Sequence, residues 1–227
     1  MFFSRLRASM SLKYQTKNQA VYEALRKGIV EGKLKPGQKI VISEVSKEFG
    51  LSDIPVREAI RRLESDGYIN FTPHIGAVVS EIDEQKFVET YLIRIELESL
   101  ATRLAVSHIT SSDIEFLITK NNEMKKALIE NKCEKIGAIN RDFHLRIYGA
   151  APYPYLNQLI ATLWERVERT QSVFAYVPER ATAAVIEHER IIDALKKKNL
   201  ALSEKLMKDQ KSRTMSALKN FLKESSH

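Results

Sequence analysis

Cysteine is almost absent from this sequence, since Cys133 is the single one among 227 residues. One thiol cannot form an internal disulfide or a thiolate zinc cluster, and a reducing cytoplasm is the expected location. Long apolar runs are also missing, because no stretch approaches the roughly 20 residues that a membrane-spanning helix requires. The first residues, MFFSRLRASMSL, include arginines and lack the apolar core of a secretory signal. The sequence therefore predicts a cytoplasmic protein without a membrane partner.

Glycine and proline are scarce after residue 82, which favours long helices in that part of the chain. Positive charge is concentrated in the N-terminal part of the chain: residues 1–80 carry a net +5 of the total +7, and residues 81–227 carry +2. An excess of Lys and Arg in the shorter part is expected if that part faces phosphate groups.

Residues 43–82 have the pattern of two short helices followed by a two-stranded ribbon. Ser43 and Ser52 are the predicted N-caps of the two helices, because serine accepts hydrogen bonds from first-turn amides. Residues 68–72 and 77–82 are the predicted strands, and the turn residues PHIG join them. This order predicts a winged helix-turn-helix, whose second helix fits the major groove of B-DNA.

The second of these helices has an apolar face and a basic face. Its apolar residues recur at helical spacing and predict a buried stripe, formed by Val56, Ala59, Ile60 and Leu63. Arg57 and Arg61 lie on a different face of the helix, and Arg62 lies beside that face. These arginines could form no more than a solvated surface, but their place in a helix-turn-helix favours contact with DNA.

The run PVREAIRRLESDGYI, preceded by KLKPGQKI and SEVSKEFGLSDI, closely resembles the DNA-binding domain of the GntR family of bacterial transcription regulators. The chain departs from the family where basic residues are common, at Ser43, Asp53 and Ile75. Aspartate at a helix N-terminus suits the helix dipole and could accept from a cytosine, but it would repel a phosphate. The residues expected to contact DNA lie in the second helix and the wing: Ser52, Asp53, Arg57, Arg61, Arg62, His74 and Gly76.

From residue 83 onward, amphipathic runs predict six helices, over residues 83–107, 111–131, 133–149, 155–176, 178–198 and 200–223. The expected fold is mainly α, with an N-terminal winged helix-turn-helix and an all-α bundle of about six helices. The expected domains are a flexible arm (1–13), a DNA-binding domain (14–82) and a helical domain (83–227). A bundle of this size can enclose a pocket between its helices.

Four polar residues of the helical part could converge on one point. Asn140 and His144 are four residues apart, so their side chains project from the same helix face. His188 and Gln210 lie at equal distances on either side of Asn199, so they are level if the chain reverses there. A single histidine on such a helix is more often a hydrogen-bonded core residue than a ligand, and amides are poor metal ligands.

The runs NRDFHLRIYGAAPYPYL and EHERIIDALKKKN resemble the FCD-type ligand-binding domain of the FadR-like branch of the GntR family. Many members hold a divalent metal through an Asp or Asn and three histidines, which correspond here to Asn140, His144, His188 and Gln210. The resemblance implies a zinc or nickel site, weakened because Gln210 stands in place of a histidine and Asn140 carries no charge. A metal-free pocket and a structural polar network are the alternatives.

The resemblance also marks two arginines of the helical domain. Arg94 matches an arginine on the first helix of that domain, and Arg166 lies on a helix that lines the pocket in relatives. Either could pair with an effector carboxylate through two parallel hydrogen bonds, and either could be a surface or interface residue. Trp164, Phe174 and Tyr148 are predicted to be core residues.

The resemblance covers nearly all of residues 15–223 and implies a ligand-responsive transcription regulator, a repressor by family default. It implies a homodimer on operator DNA, with a small organic or sugar acid that changes DNA affinity. An architectural DNA-binding protein without an effector is one alternative. A metal-dependent enzyme is another, but Asp142 does not share a helix face with His144, and no nucleophile constellation is evident. The protein is therefore not expected to be an enzyme.

Overall fold

The protein is described by a computed structural model that covers residues 16–72, 74–81, 83–132, 135–168, 174 and 177–225, without the side chains of residues 166–168 and 225. The predicted arm (1–13), Cys133 and the side chain of Arg166 lie outside the described residues. The chain forms two compact units that divide between residues 81 and 83. Its fold is mainly α with one small ribbon, which confirms the predicted winged helix-turn-helix followed by a helical bundle.

The first unit contains the helices α1 (Lys17–Val30), α2 (Ile42–Phe49) and α3 (Asp53–Ser65), followed by the strands β1 (Ile69–Thr72) and β2 (Gly76–Val79). α3 packs against both α1 and α2, and its predicted apolar stripe is buried. Gly50 ends α2 with a φ of 64°, a left-handed conformation that glycine adopts without steric cost. This turn directs the chain from α2 into α3.

The predicted N-caps of α2 and α3 have different outcomes. Val41 is the N-cap of α2, so Ser43 lies inside the helix and the prediction for Ser43 is wrong. The helix begins earlier because Ile42, in its first turn, packs against the core of the unit. Ser52 is the N-cap of α3 as predicted, but its side chain makes no capping hydrogen bond.

The ribbon is antiparallel, with Ile69 opposite Val79 and Thr72 opposite Gly76. The predicted first strand is correct to within one residue. The predicted second strand began one residue late and continued to Ile82, whereas β2 ends at Val79. Lys39 adds one isolated bridge to Val78 beside the ribbon.

The second unit contains six described helices: α4 (Glu84–Ala105), α5 (Ser111–Ile129), α6 (Ile136–Gly149), α7 (Pro154–Glu168), α8 (Glu179–Lys196) and α9 (Leu200–Ser225). The start of α5 is at its predicted residue, because Thr110 and Asp113 form a reciprocal capping box. The predicted end of α6 and the predicted start of α9 are also confirmed.

Helix packing in the second unit surrounds a partly polar interior. α4 packs along α9, α8 packs against α5 and α9, and α6 packs against α4 and α5. Buried polar residues on α4, α5, α6, α8 and α9 therefore face one another inside the bundle. None of the described helices combines the length and the apolar composition that a membrane crossing needs.

Candidate functional site

Two arginines of α3 are available to a ligand outside the chain. Arg57 and Arg61 are exposed, and their spacing of four residues places them on the same helix face. Within the described part of the chain, neither arginine makes an ion pair. Their contact with DNA stays a prediction, and their exposure is what that role requires.

The third predicted arginine of α3 is engaged inside the unit. The guanidinium carbon of Arg62 lies 4.2 Å from the centroid of the Tyr22 ring, and Arg62 also donates a hydrogen bond to the side chain of Gln19. Both partners belong to α1. Arg62 therefore joins α3 to α1, whereas Arg57 and Arg61 point away from the unit.

Asp53 has a hydrogen-bond partner in the preceding helix. The hydroxyl of Ser46 in α2 donates to Asp53 Oδ1 at 2.7 Å, and Ser46 is buried. The carboxylate thus links the two helices of the helix-turn-helix. Contact of Asp53 or Ser52 with DNA stays a prediction.

The wing presents His74 at an exposed turn between the two strands. His74 has a φ of 65°, and Gly76 has a φ of 97°, which a side chain would strain. These conformations shape the tip of the ribbon. Their role in DNA binding also stays a prediction.

In the helical unit, the two predicted histidines face each other. His144 Nε2 and His188 Nε2 are 3.3 Å apart, and both side chains are buried. The other ring nitrogen of His188, Nδ1, lies 3.1 Å from Oδ1 of Asn121. Because the amide nitrogen of Asn121 donates to the Val185 carbonyl, its oxygen must accept from His188 Nδ1. The Nε2 atom of His188 therefore carries the lone pair.

A chain of polar side chains continues from His144 to two buried cations. His144 Nδ1 lies 3.4 Å from the Tyr148 hydroxyl, which donates a short hydrogen bond to Glu98. Arg94 donates to Glu98 Oε1 at 2.6 Å, and Lys211 Nζ lies 3.1 Å from Glu98 Oε2. These residues come from α4, α6 and α9, so the cluster joins three helices.

Burial and the cations determine the charge states of this cluster. Burial, with a contribution from Lys211, holds the pKa of both His144 and His188 well below the usual value. Both imidazoles are therefore neutral at pH 7. Burial also lowers the pKa of Lys211 to about 8, so its ammonium form still predominates at pH 7. Burial alone would raise the pKa of Glu98, but Arg94 and Lys211 hold it below its usual value.

Asn140 and Gln210, the other two predicted ligands, are buried in the same unit. Asn140 lies one turn before His144 on α6. Gln210 lies one turn after Met207, whose sulfur is 3.4 Å from the Tyr148 hydroxyl. Neither side-chain polar atom of Gln210 has a hydrogen-bond partner among the described residues. Among the residues that the structure describes, no group of three or more His, Cys, Asp or Glu side chains is placed to hold a metal.

Arg94 was predicted to bind an effector, and it is buried with Glu98 as its partner. Its guanidinium carbon also lies 4.2 Å from the centroid of the Trp164 ring. Sequence reasoning missed Glu98, Lys211 and Asn121. Glu98 and Lys211 could have been suspected from their neighbours, since Glu98 is four residues after Arg94 and Lys211 follows Gln210.

Comparison with known families matches both units. Residues 17–79 match the family described as bacterial regulatory proteins, gntR family, and residues 89–210 match the FCD domain. The latter match alone spans more than half of the chain.

Individual relatives agree with these matches. YdhC of Bacillus subtilis, an uncharacterised HTH-type transcriptional regulator, is 31% identical over 180 residues, which cover 78% of this chain and 80% of YdhC. The gluconate operon transcriptional repressor of B. subtilis is 29% identical over 203 residues, covering 84% of this chain and 79% of the repressor.

A solved structure of McbR (YncC) from Escherichia coli superimposes with a TM-score of 0.70 at 26% identity, covering 89% of this chain and 97% of McbR. Both matched families and these relatives are regulators, so the comparisons support a regulator and not an enzyme. The chain belongs to the GntR family of bacterial transcription regulators, with an N-terminal DNA-binding helix-turn-helix and a C-terminal FCD domain.

Proposed function

We propose that this protein is a cytoplasmic repressor that binds operator DNA as a homodimer and responds to a small organic or sugar acid. The observation that carries the proposal is a local excess of buried positive charge around Glu98 in the helical unit. Arg94 and Lys211 are both cationic and buried, and they share the single carboxylate of Glu98. A buried cation without a full counter-charge is unfavourable, so an effector carboxylate would be bound with a gain in free energy.

Unpaired polar atoms support a ligand that carries hydroxyl groups as well. The amide of Gln210 and Nε1 of Trp164 are buried without hydrogen-bond partners among the described residues. A hydroxy acid has donors and acceptors that could satisfy both groups. The name of the related B. subtilis repressor refers to the operon for gluconate, a sugar acid, and this favours sugar acids as the first effectors to test.

A divalent metal, zinc or nickel, is part of the proposal. The 3.3 Å between the two Nε2 atoms matches the separation of about 3.3 Å expected for two nitrogens on one tetrahedral zinc. His144 and His188 would hold the ion, and the amide oxygens of Gln210 and Asn140 are candidates for further positions. A bound ion would supply a positive centre for the effector carboxylate.

The same two imidazoles can also form a hydrogen bond to each other without a metal. His144 can then carry its proton on Nε2 and donate it to the lone pair of His188 Nε2. In this alternative the effector is bound by Arg94, Lys211 and Gln210 alone. The proposal of an effector site therefore does not depend on the metal.

On the DNA side, we propose that Arg57 and Arg61 contact the operator and that the wing, with His74 and Gly76, reaches the neighbouring backbone. One recognition helix reads only a few base pairs, so two copies on paired half-sites supply the affinity and the spacing. The effector would act by binding one arrangement of the dimer more tightly than the other.

The proposal is tested by DNA-binding titrations in the presence of sugar acids and small organic acids. We expect at least one acid to shift the midpoint of the DNA-binding curve of the wild-type protein. Lys211→Met removes a cation of the site whether or not a metal is bound, so it should bind DNA equally well and lose the response. The double variant His144→Ala/His188→Ala should lose the response if the metal takes part, whereas exposed His108→Ala should retain it. An architectural protein whose helical unit only dimerises would show no shift with any acid.

A further inference from the structure

Ile54 is a large apolar residue in an unusual position. It has an exposed fraction of 70%, against 50% for Phe71 and 49% for Ile75, the other exposed large apolar residues described in the first unit. It is the second residue of α3, at the end of the helix that meets base edges in helix-turn-helix proteins. The other large apolar residues of α3 are buried, so the core does not account for the side chain of Ile54.

Ile54 also belongs to the face of α3 that is proposed to contact DNA. Helical spacing places it on the same side as Arg57 and Arg61, three and seven residues further along. Its neighbour Asp53 has a different role, because the carboxylate accepts a hydrogen bond from Ser46 in α2. At the start of α3, the outward surface is therefore apolar at Ile54 and cationic in the turns that follow.

The major groove of DNA offers one apolar group, the 5-methyl group of thymine. We propose that Ile54 reads a thymine by packing against this methyl group, once in each operator half-site. The inference rests on the proposed contact of α3 with operator DNA, and it assigns a base preference to a residue without any hydrogen-bonding group. Removal of one buried methyl group corresponds to a loss of about fourfold in affinity.

The experiment starts with full-length protein selecting duplexes from a random-sequence DNA library. Wild type and Ile54→Ala are compared with Ile129→Ala, whose side chain is 81% exposed on α5 of the other unit. Each thymine of the selected duplex is then replaced in turn by deoxyuridine, which pairs as thymine does and lacks only the methyl group. Equilibrium titrations measure the affinity of each protein for each duplex.

We expect one thymine per half-site at which uracil weakens binding of the wild type and of Ile129→Ala by about fourfold. Ile54→Ala should bind the thymine and uracil duplexes equally. Uracil substitutions that never weaken the wild type, or that weaken Ile54→Ala to the same extent, would overturn the inference. Failure of the wild type to select any sequence would overturn the proposed DNA contact as well, and the two failures are thereby distinguished.

Discussion

Lys211 and Glu98 form an ion pair inside the helical unit, with 3.1 Å between Nζ and Oε2 and exposed side-chain fractions of 5% and 0%. Arg94 binds the other carboxylate oxygen, so one acid faces two cations. Burial lowers the pKa of Lys211 from 10.5 to about 8, which means that the ammonium form is disfavoured by folding. This arrangement is expected of a lysine whose contribution is to binding and not to stability.

Replacement of Lys211 should therefore stabilise the protein. In Lys211→Met the pair of Arg94 and Glu98 remains, while a disfavoured buried charge is removed. We expect the free energy of unfolding at pH 7 to rise by about 1–3 kcal/mol, measured by denaturant titration. The same variant should lose affinity for the carboxylate effector.

Glu98→Gln is the matched control, because it removes the acid and leaves Arg94 and Lys211 without a counter-charge. This variant should lose about 3–5 kcal/mol of stability. Equal destabilisation by both substitutions would show that Lys211 is needed for folding, against the prediction.

Zinc should bind the helical unit through the imidazole pair. At a free concentration of 100 times the dissociation constant, one bound ion stabilises the folded state by about 2.7 kcal/mol. For a chain of this length that corresponds to an increase in Tm of about 5–10 °C, measured with and without a chelator. His144→Gln and His188→Gln should abolish the increase, and an unchanged Tm for the wild type would favour the metal-free pocket.

Asn121 should act on the metal through His188. Its oxygen accepts from His188 Nδ1 and so keeps the lone pair on Nε2. Asn121→Ala should lower zinc affinity by about 10- to 100-fold, the usual effect of losing such an outer partner, as measured by competition with a chromogenic chelator. Asn122→Ala changes the same residue type at the next, exposed position and should leave the affinity unchanged.

The two buried imidazoles should make the helical unit sensitive to acid. Burial holds the pKa of both in the folded state well below the usual value, whereas an unfolded histidine binds a proton near pH 6.5. The unfolded state therefore binds more protons once the pH falls below about 6.5, and stability decreases. Between pH 7.5 and pH 5.5 we expect a loss of about 2.7 kcal/mol in the absence of metal, measured by denaturant titration.

His144→Gln leaves one of the two buried imidazoles and should reduce this pH dependence by about half. His108→Gln, on the surface, should leave it unchanged. A loss of stability in acid that is identical in both variants would attribute the effect to other groups.

Two arginines of α3, Arg57 and Arg62, should have separable roles. Arg57 makes no ion pair in the described part of the chain, and Arg57→Ala should weaken operator binding by about 1–3 kcal/mol. Arg62 packs on Tyr22 and donates to Gln19, so Arg62→Ala should lower the stability of the first unit by about 1 kcal/mol. Operator titration and thermal denaturation of both variants measure the two effects, and a reversed pattern would contradict the assignment.

The sequence predicted the elements well where local signals were strong. Thr110 and Asp113 form a capping box that is readable from spacing alone, and α5 begins where this signal places it. Ser43 misled the prediction because it resembles an N-cap, whereas the packing of Ile42 against the core moved the start of α2. Tertiary contacts outweighed local preference at this position.

For the candidate site, the sequence predicted those residues whose positions follow from spacing along a helix or from the resemblance. His144 and His188 do come together, as the resemblance implied. The pairing of Arg94 with Glu98, four residues later, was not predicted, because it is the packing of α9 on α4 that buries this pair with Lys211. Asn121 could not be predicted, since its hydrogen bond to His188 depends on how α5 and α8 are placed.

Trp164 is the single tryptophan of the chain, and it lies within this cluster. Its ring centroid is 4.2 Å from the Arg94 guanidinium carbon, 4.8 Å from Lys211 Nζ and 5.8 Å from the His144 ring centroid. Indole emission responds to nearby charge, so occupation of the site by an anion or a metal would change the fluorescence of the intact protein. The protein thus carries a built-in optical probe at its candidate effector site, and it needs no label to screen for the effector.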